Sequence, residues 1–555
     1  MKKTGLLITL TILTLAFQAQ SGPWIINSGG RIISSSPGSY WVVSGGDFTL
    51  ISRSATDLAS MDNLLITSGA SLTIDSQSYL TVTGVVTDNN SAGTVGLTIN
   101  SDATGTASLI TPSATGAGST AAQLHMTTGT WHLVSSPVLQ SVTDFLTASS
   151  TIAINGAGRG MMDYDPAANS WKTFFTNSSA GNLGSGKGYC ERVGPGDANI
   201  TATGPLQAGL YSVAATPGYW DCIGNPFTST IGITSQSSAA DNFLTLNSAN
   251  FDPSYGAIYV WATGNDTYNG QYGNYTIVNN VPTVGFDDLP QGQAFLVKRK
   301  AVGGAAFSFT NSMQLHNGAL GLKAAKTLWP TIKLHVAANS QTASSLIVFN
   351  EAMTKGLDPM YDAGLLKGAS ELSVYTRLVE DNGVAFAIQA LPLNDFTNMI
   401  VPVGVDSKAG GDVVFSAETA NLPSDCKVIL EDKVKKTFTD LSANVYKATL
   451  VPNSTVADRF QLHTSSATIA AIGKDNQIGQ LNAYAIPTEG IRIVGDVSAK
   501  AVATLYDVVG KVVLSRKLSE GSLNVIPTSS VGSGLYILSV EDQGKAEGFK
   551  MRIMN

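Results

Sequence analysis

The side chains of this sequence that could do chemistry are few, and their patterns stop short of a complete site. Gly181-Asn182-Leu183-Gly184-Ser185-Gly186-Lys187-Gly188 comes near a phosphate loop of the form GxxxxGK[ST]. Such a loop needs a hydroxyl after the lysine to reach magnesium, and a helix start whose amide dipoles face the phosphate. Gly188 has no hydroxyl and a strand-like run follows it, so a tight turn between strands accounts for the glycines. The histidines, His125, His132, His316, His335 and His463, are scattered, with no HExxH pair for zinc and no GxSxG nucleophile elbow. His132 follows Trp131 in a strand-like run and is expected to be a packed or edge histidine rather than a ligand.

Carboxylates and aromatic rings offer more. Glycosidases need two facing carboxylates, and calcium needs several oxygens. Asp163 and Asp165 with Asn169 could furnish calcium oxygens, as could Asp358 with Asp362, and Glu431-Asp432. None has EF-hand spacing, and Asp165-Pro166 and Asp358-Pro359 also read as turn starts, because Asp bonds its own backbone ahead of a proline of fixed φ. Structural calcium is thus the one cofactor for which the sequence supplies ligands; no organic cofactor is expected. Between Asp252 and Tyr275, Tyr255, Tyr259, Trp261, Tyr268, Tyr272 and Tyr275 crowd together amid Asn and Gly. Tyr259, Trp261, Tyr268, Tyr272 and Tyr275 could form a sugar-binding face, with flat rings under the sugar and amides on its hydroxyls. The same rings could equally fill the core beneath a long hairpin.

The elements that would position these groups are strands. The chain has 555 residues, too many for one core, so about three to five domains are expected. Only 13% of residues are charged, Gly numbers 56, and 43% are hydrophobic, which suits short strands and tight turns rather than disorder. Net charge is −7, so there is no basic field to attract nucleic acid. Lys2 and Lys3, the uncharged run Gly5 to Phe17 and Ala19-Gln20-Ser21 read as a secretory signal peptide, residues 1–21, cleaved after Ser21. Cys190, Cys222 and Cys426 have no zinc spacing. An exported chain permits a Cys190–Cys222 bridge, and buried free thiols are the other reading.

Residues 22–115 repeat short apolar-Thr-apolar pieces, Phe48-Thr49-Leu50, Leu72-Thr73-Ile74, Leu80-Thr81-Val82 and Leu97-Thr98-Ile99, at steps of 8 residues (72 to 80) or about twice that (80 to 97). This predicts a short parallel β-solenoid, with an antiparallel sandwich as the alternative. Residues 116–320 carry a duplication. Trp131-His132-Leu133-Val134-Ser135-Ser136-Pro137 is echoed by Trp220-Asp221-Cys222-Ile223-Gly224-Asn225-Pro226. Leu183-Gly184-Ser185-Gly186-Lys187-Gly188-Tyr189 is echoed by Leu289-Pro290-Gln291-Gly292-Gln293-Ala294-Phe295. The copies, 116–217 and 218–320, read as two small β-sandwiches or two halves of one, with Trp131 and Trp220 as equivalent core anchors. Alternating strands at sandwich-like intervals fill 321–466, 467–480 reads as a linker, and 481–555 as a last compact Ig-like β-unit. The fold class is therefore all-β and multidomain: solenoid, duplicated sandwich units, then Ig-like sandwiches.

The last unit carries a series of motifs. Pro487 precedes Ile491-Arg492-Ile493. Leu505-Tyr506-Asp507-Val508-Val509-Gly510-Lys511-Val512-Val513 follows, then Val531-Gly532-Ser533-Gly534-Leu535-Tyr536-Ile537-Leu538, and the basic end Lys550-Met551-Arg552-Ile553. Residues 481–555 resemble the type A C-terminal sorting domain of the type IX secretion system, with Ile486-Pro487 where many members have Asn-Pro. The resemblance implies that Pro487, Tyr506, Asp507, Gly510, Lys511, Gly534, Tyr536 and Lys550 are sorting-motif positions. It implies as partners the type IX translocon and the outer-membrane attachment machinery, which would carry the protein from the periplasm to the cell surface or beyond. Residues 22–466 are similar to the bodies of unassigned Gram-negative surface proteins that carry this domain.

The expected function is that of a noncatalytic surface protein, adhesin-like or glycan-binding, with a glycan or a host or matrix surface as partner. A secreted polysaccharide hydrolase and a structural component of an extracellular layer are the alternatives.

Overall fold

The computed structural model describes residues 40–43, 46–50, 59–184, 186–261, 275–282, 286–316, 328–339, 341–366, 371–379, 383–423, 426–465, 482–486, 490–542 and 544–553. The signal segment, the 467–480 linker, Tyr268, Tyr272 and Pro487 lie outside the described residues. The protein is all-β; among the described residues, two short α-helices and a few 3-10 turns lie between the strands.

The apolar-Thr-apolar pieces coil into a parallel solenoid. Alternation puts Leu72 and Ile74 inside and Thr73 outside. Leu72 then stacks beneath Leu97, Thr73 beneath Thr98 and Ile74 beneath Ile99, so like residues pair between coils. Three parallel stacks form. One runs through Tyr40–Val43, Asn63–Ile66, Val85–Asp88 and Ser113–Gly116, and a second through Asp47–Leu50, Ser71–Ile74, Val95–Ile99 and Ser119–Met126. The third holds Ala59–Met61, Tyr79–Val82 and Ser108–Ile110. The 8-residue step from Leu72 to Leu80 is therefore the step between faces of one coil, not between coils. Leu50, Leu64, Ile66, Ile74, Leu80, Val82, Ile99 and Leu109 fill the interior with no exposed surface, each burial worth about 1.5–3 kcal/mol. The stack runs past residue 115, because Ser119–Met126 closes it and pairs antiparallel with Ala198–Gly204 of the next region.

The duplication becomes two sheets of one topology. His132–Ser135, Gly188–Glu191, Met161–Asp165 and Ser170–Trp171 form the first, in that order. Trp220–Gly224, Ala294–Lys298, Ile258–Trp261 and Tyr275–Val278 form the second, in the same order. Each copy carries a short helix capped alike: Asp144 N donates to Ser141 Oγ (3.0 Å), and Thr245 N to Asn242 Oδ1 (2.9 Å). Across the junction, Val134 bridges Gln293 and Ile223 bridges Lys187. Val134 is the counterpart of Ile223, and Gln293 of Lys187, so the two contacts are the same contact seen from each side, as in a two-fold dimer. Trp131, Leu133 and Cys190 share one core with Trp220, Cys222 and Leu296. The copies are two halves of one body. Cys190 and Cys222 are both buried there, as thiols and not as a bridge.

Residues 331–465 form a single eleven-stranded sheet that curls so that its inner face wraps one core, including Ile332, Phe349, Val403, Phe415, Val428, Leu430, Phe460 and Leu462. The last unit has two sheets around a core of its own. Asn482–Ile486, Gly490–Val497 and Gly521–Ile526 form one; Val512–Lys517, Val502–Asp507, Gly534–Asp542 and Lys545–Ile553 form the other, in that order. No helix among the described residues is long and apolar enough to cross a membrane.

Candidate functional site

The acidic clusters resolve into scaffolding. Asp163 takes ion pairs from Lys172 (2.9 Å) and Lys187 (3.1 Å). Burial alone would raise its carboxyl, but the Lys172 hydrogen bond and the two ammonium charges outweigh that and hold it below the usual range. Lys187, the lysine of the phosphate-loop-like run, thus serves as a counter-ion. Asp165 Oδ1 accepts from the amides of Ala167 (3.0 Å) and Ala168 (3.2 Å), and Asn169 sits at φ 50° with its Oδ1 accepting from Tyr164 Oη (2.9 Å). Asp358 accepts from Thr354 N and Oγ1. Asp362, fully buried, accepts from Asp358 N and Ala390 N, both at 2.7 Å, and burial pushes it up to about 7. At the positions expected for calcium, Asp163 Oδ2, Asp165 Oδ1, Asn169 Oδ1 and the carboxylates of Asp358 and Asp362 thus accept from protein donors. Among the described residues, no three His, Cys, Asp or Glu side chains converge on one point.

At Tyr259 the ring-face expectation is corrected, and the core-filling reading holds there. Tyr259 has no exposed surface; its Oη donates to the Gly364 carbonyl (2.6 Å) and its ring meets Trp220 edge-on, 4.7 Å between centroids. Trp261 and Tyr275 are half-buried, lie edge-to-face at 5.3 Å and pack on the same core. These rings fill the space between the duplicated body and the eleven-stranded sheet, because burying an aromatic returns more than exposing it.

The terminal unit gathers its motif residues at turns and at one sheet edge. Asp507 Oδ1 accepts from the amides of Val509 (3.0 Å) and Lys511 (2.9 Å), closing a turn that Gly510 completes at φ +84°. Tyr506 lies between Val512 and Ile537 on neighbouring strands. Tyr536 Oη donates to the Gly532 carbonyl (2.8 Å), and a Cβ at Gly534 would stand 3.3 Å from the Tyr536 ring. Lys545–Ile553 is the outer strand of its sheet. It pairs with Gly534–Asp542, and Asn482–Ile486 of the unit's other sheet lies close against it without strand pairing among the described residues. The outward side chains nearby are Leu535 (50% exposed), Ile537 (47%) and Val512 (52%), flanked by exposed Lys550 and Arg552.

The surroundings of three polar groups escaped the sequence reading. Glu191 is buried at the junction of the copies, with Oε2 lacking a hydrogen-bond partner among the described residues, and burial pushes it up to about 8. It lines a cavity of about 30 Å³ together with Gln123, Ser136 and Gln291, space for about one water. His316 ties the end of the duplicated body to the solenoid: Nε2 meets Thr81 Oγ1 and Nδ1 meets Ser108 Oγ, both at 2.8 Å, and burial lowers it to about 4. Glu431, His463 and Arg492 form a buried ionic cluster. The one available signal was Glu191's own position, two residues beyond buried Tyr189 in a strand, where the duplicate has Val297.

The fold defines a multidomain all-β protein. The chain belongs to the family described as a domain of unknown function, DUF8693, which matches residues 40–463. That match takes in the solenoid, the duplicated body and the eleven-stranded sheet and stops short of the terminal unit. No curated protein matches the chain. Among solved structures, the chain is similar to a biofilm associated protein BSP domain at 9% identity, over 78% of this chain and 92% of that one, with a TM-score of 0.17; at that score the likeness carries no argument about fold or function.

Proposed function

We propose that this is a noncatalytic, adhesin-like protein of the bacterial cell surface, and that residues 482–553 are the module by which the type IX secretion machinery exports it. The observation that carries the reading is the exposed face of the terminal strands, where Leu535 and Ile537 on Gly534–Asp542 lie beside Arg552 and Lys550 on Lys545–Ile553. Alternating side chains on such a face offer a receptor apolar contacts and basic handles in a fixed register. The motif turn at Asp507–Gly510 and the Tyr536–Gly532 clasp fix the ends of the neighbouring strands. The body supports a noncatalytic role because its conspicuous carboxylates, Asp163 and Asp362, are occupied by protein partners. Glycan or matrix ligands are the partner class in keeping with such a role. Deleting residues 481–555 is expected to leave the protein in the periplasm. Arrival of the deleted chain at the cell exterior would refute the export reading. A glycan and matrix-protein array probed with residues 22–466 tests the adhesive role, and silence across it would count against that role alone.

A further inference from the structure

The outer face of the eleven-stranded sheet is covered where it need not be. Along Lys427–Asp432, Val428 and Leu430 face the core, so Ile429 and Glu431 point away from it. Both are nonetheless buried, Ile429 to 2% and Glu431 to 1% exposure, and His463 of the paired strand is at 8%. The group that reaches them comes from the terminal unit. On Gly490–Val497, Ile491 and Ile493 enter that unit's own core, and Arg492 between them points out of it. Arg492 Nη1 lies 3.2 Å from Glu431 Oε2, and His463 Nε2 lies 2.7 Å from the same oxygen. Burial alone would raise the Glu431 carboxyl; the His463 hydrogen bond and the charges of His463 and Arg492 reverse that and hold it below the usual range.

We infer that the terminal unit is docked on the eleven-stranded sheet by a buried Arg492–Glu431–His463 contact, so that severing residues 466–481 does not by itself release it. A buried charge pair loses strongly when one member is removed, because the other is left desolvated and alone. Proteolytic processing of the connecting segment would then yield a two-part, non-covalent particle, with separation set by the ionic contact. This inference stands apart from the export proposal, since it concerns only how two parts of the chain hold together.

The test uses the full chain with a site-specific protease sequence placed within 470–476. After cutting, the two parts are expected to co-elute on size exclusion at micromolar concentration. Glu431→Gln, which leaves the terminal unit's sequence untouched, is expected to weaken their association about 30-fold or more. Arg492→Met, which leaves the sheet untouched, is expected to do the same, and hydrogen exchange on each uncut chain shows whether both parts remain folded. Separation of the folded parts of the unsubstituted chain on cutting would overturn the docking. Undiminished co-elution of both folded variants would overturn the role of the ionic contact.

Discussion

The two copies of the duplicated body share a strand order and a helix cap but fill their interiors differently. The second copy is aromatic: Phe243 contacts Phe251, Phe295, Phe307 and Phe309, all with at most 1% exposure. The first copy places Val142 at the equivalent helix start and Glu191 where the second has Val297. It also has Lys187, paired with Asp163, where the second has Gln293, whose Nε2 donates to the Leu133 carbonyl (2.9 Å) across the junction. The same topology thus tolerates an apolar and a partly polar interior. Each copy serves as an internal control for the other, because a residue in one shows what the fold accepts at that position.

The largest effect is expected from the aromatic cluster. Phe243→Ala should cost about 3–5 kcal/mol, since four neighbouring rings cannot all collapse into the space. Val142→Ala at the matching site should cost roughly 1.5–3 kcal/mol, because less apolar volume is removed. Denaturant midpoints of the two variants check the difference; equal losses would mean that the copies are packed alike despite their residues.

Glu191 comes next. Its carboxyl ordinarily titrates at 4.5 and is pushed up to about 8 by burial. The folded state therefore keeps a proton that the unfolded state releases, so this group's contribution to stability falls as pH rises from about 4.5 to about 8 and is level above. The steepest slope is about 1.4 kcal/mol per pH unit. Replacing Glu191 by Leu, an apolar residue like the Val297 of the other copy, should raise stability at pH 8 by roughly 1–3 kcal/mol. It should also flatten that slope relative to the unsubstituted chain. A difference independent of pH would show that Glu191 titrates in the fold as it does in the unfolded chain, and would overturn the raised value.

The pseudo-two-fold junction admits one methyl, not two. A Cβ at Gly188 would stand 2.4 Å from Cys222 Sγ and 2.9 Å from the Cβ of Ala294, its counterpart. Gly188→Ala is expected to cost roughly 1–3 kcal/mol by overpacking. Adding Ala294→Gly should recover part of the loss, because one clash goes while that with Cys222 stays, and a double-mutant cycle measures the recovery. Strict additivity would place the two residues out of contact.

Much of this comparison was legible in the sequence because it rests on local signals. The Trp131 and Trp220 segments and the two glycine-bearing turns exposed the duplication, and apolar-Thr-apolar alternation exposed the solenoid stack. The length of a coil was not legible, because the 8-residue beat counts faces; only the pairing of Leu72 with Leu97 shows where one coil ends and the next begins. The burial of Tyr259 was hidden for a different reason. Tyr259, Trp261 and Tyr275 have the same residue types whether they meet a sugar or a neighbouring sheet, and the deciding contact, Gly364, lies more than a hundred residues away. Arg492 and Glu431 were equally silent, since nothing local marks a charged residue as the one that faces another unit.

The smallest effect isolates what the second copy lacks. Lys187→Gln installs the residue found at Gln293 and removes one of the two cations on Asp163. Lys172 remains at 2.9 Å, and both lysine side chains are nearly half exposed, at 46% and 45%. Exposed cations contribute little per pair, so a loss of about 0.2–1 kcal/mol at neutral pH and low salt is expected. Its sign follows from Asp163, whose carboxyl is held below its usual range in the folded state. The stabilisation is present above the ordinary carboxylate range and is lost as pH falls through the lowered value, so the difference between variant and parent should vanish in acid. It should also shrink as salt screens the half-exposed ammonium. A loss that persists at acid pH and high salt would mean that Lys187 acts through its aliphatic stem or its bridge to Ile223 rather than its charge, and that the two copies differ in packing at this point more than in electrostatics.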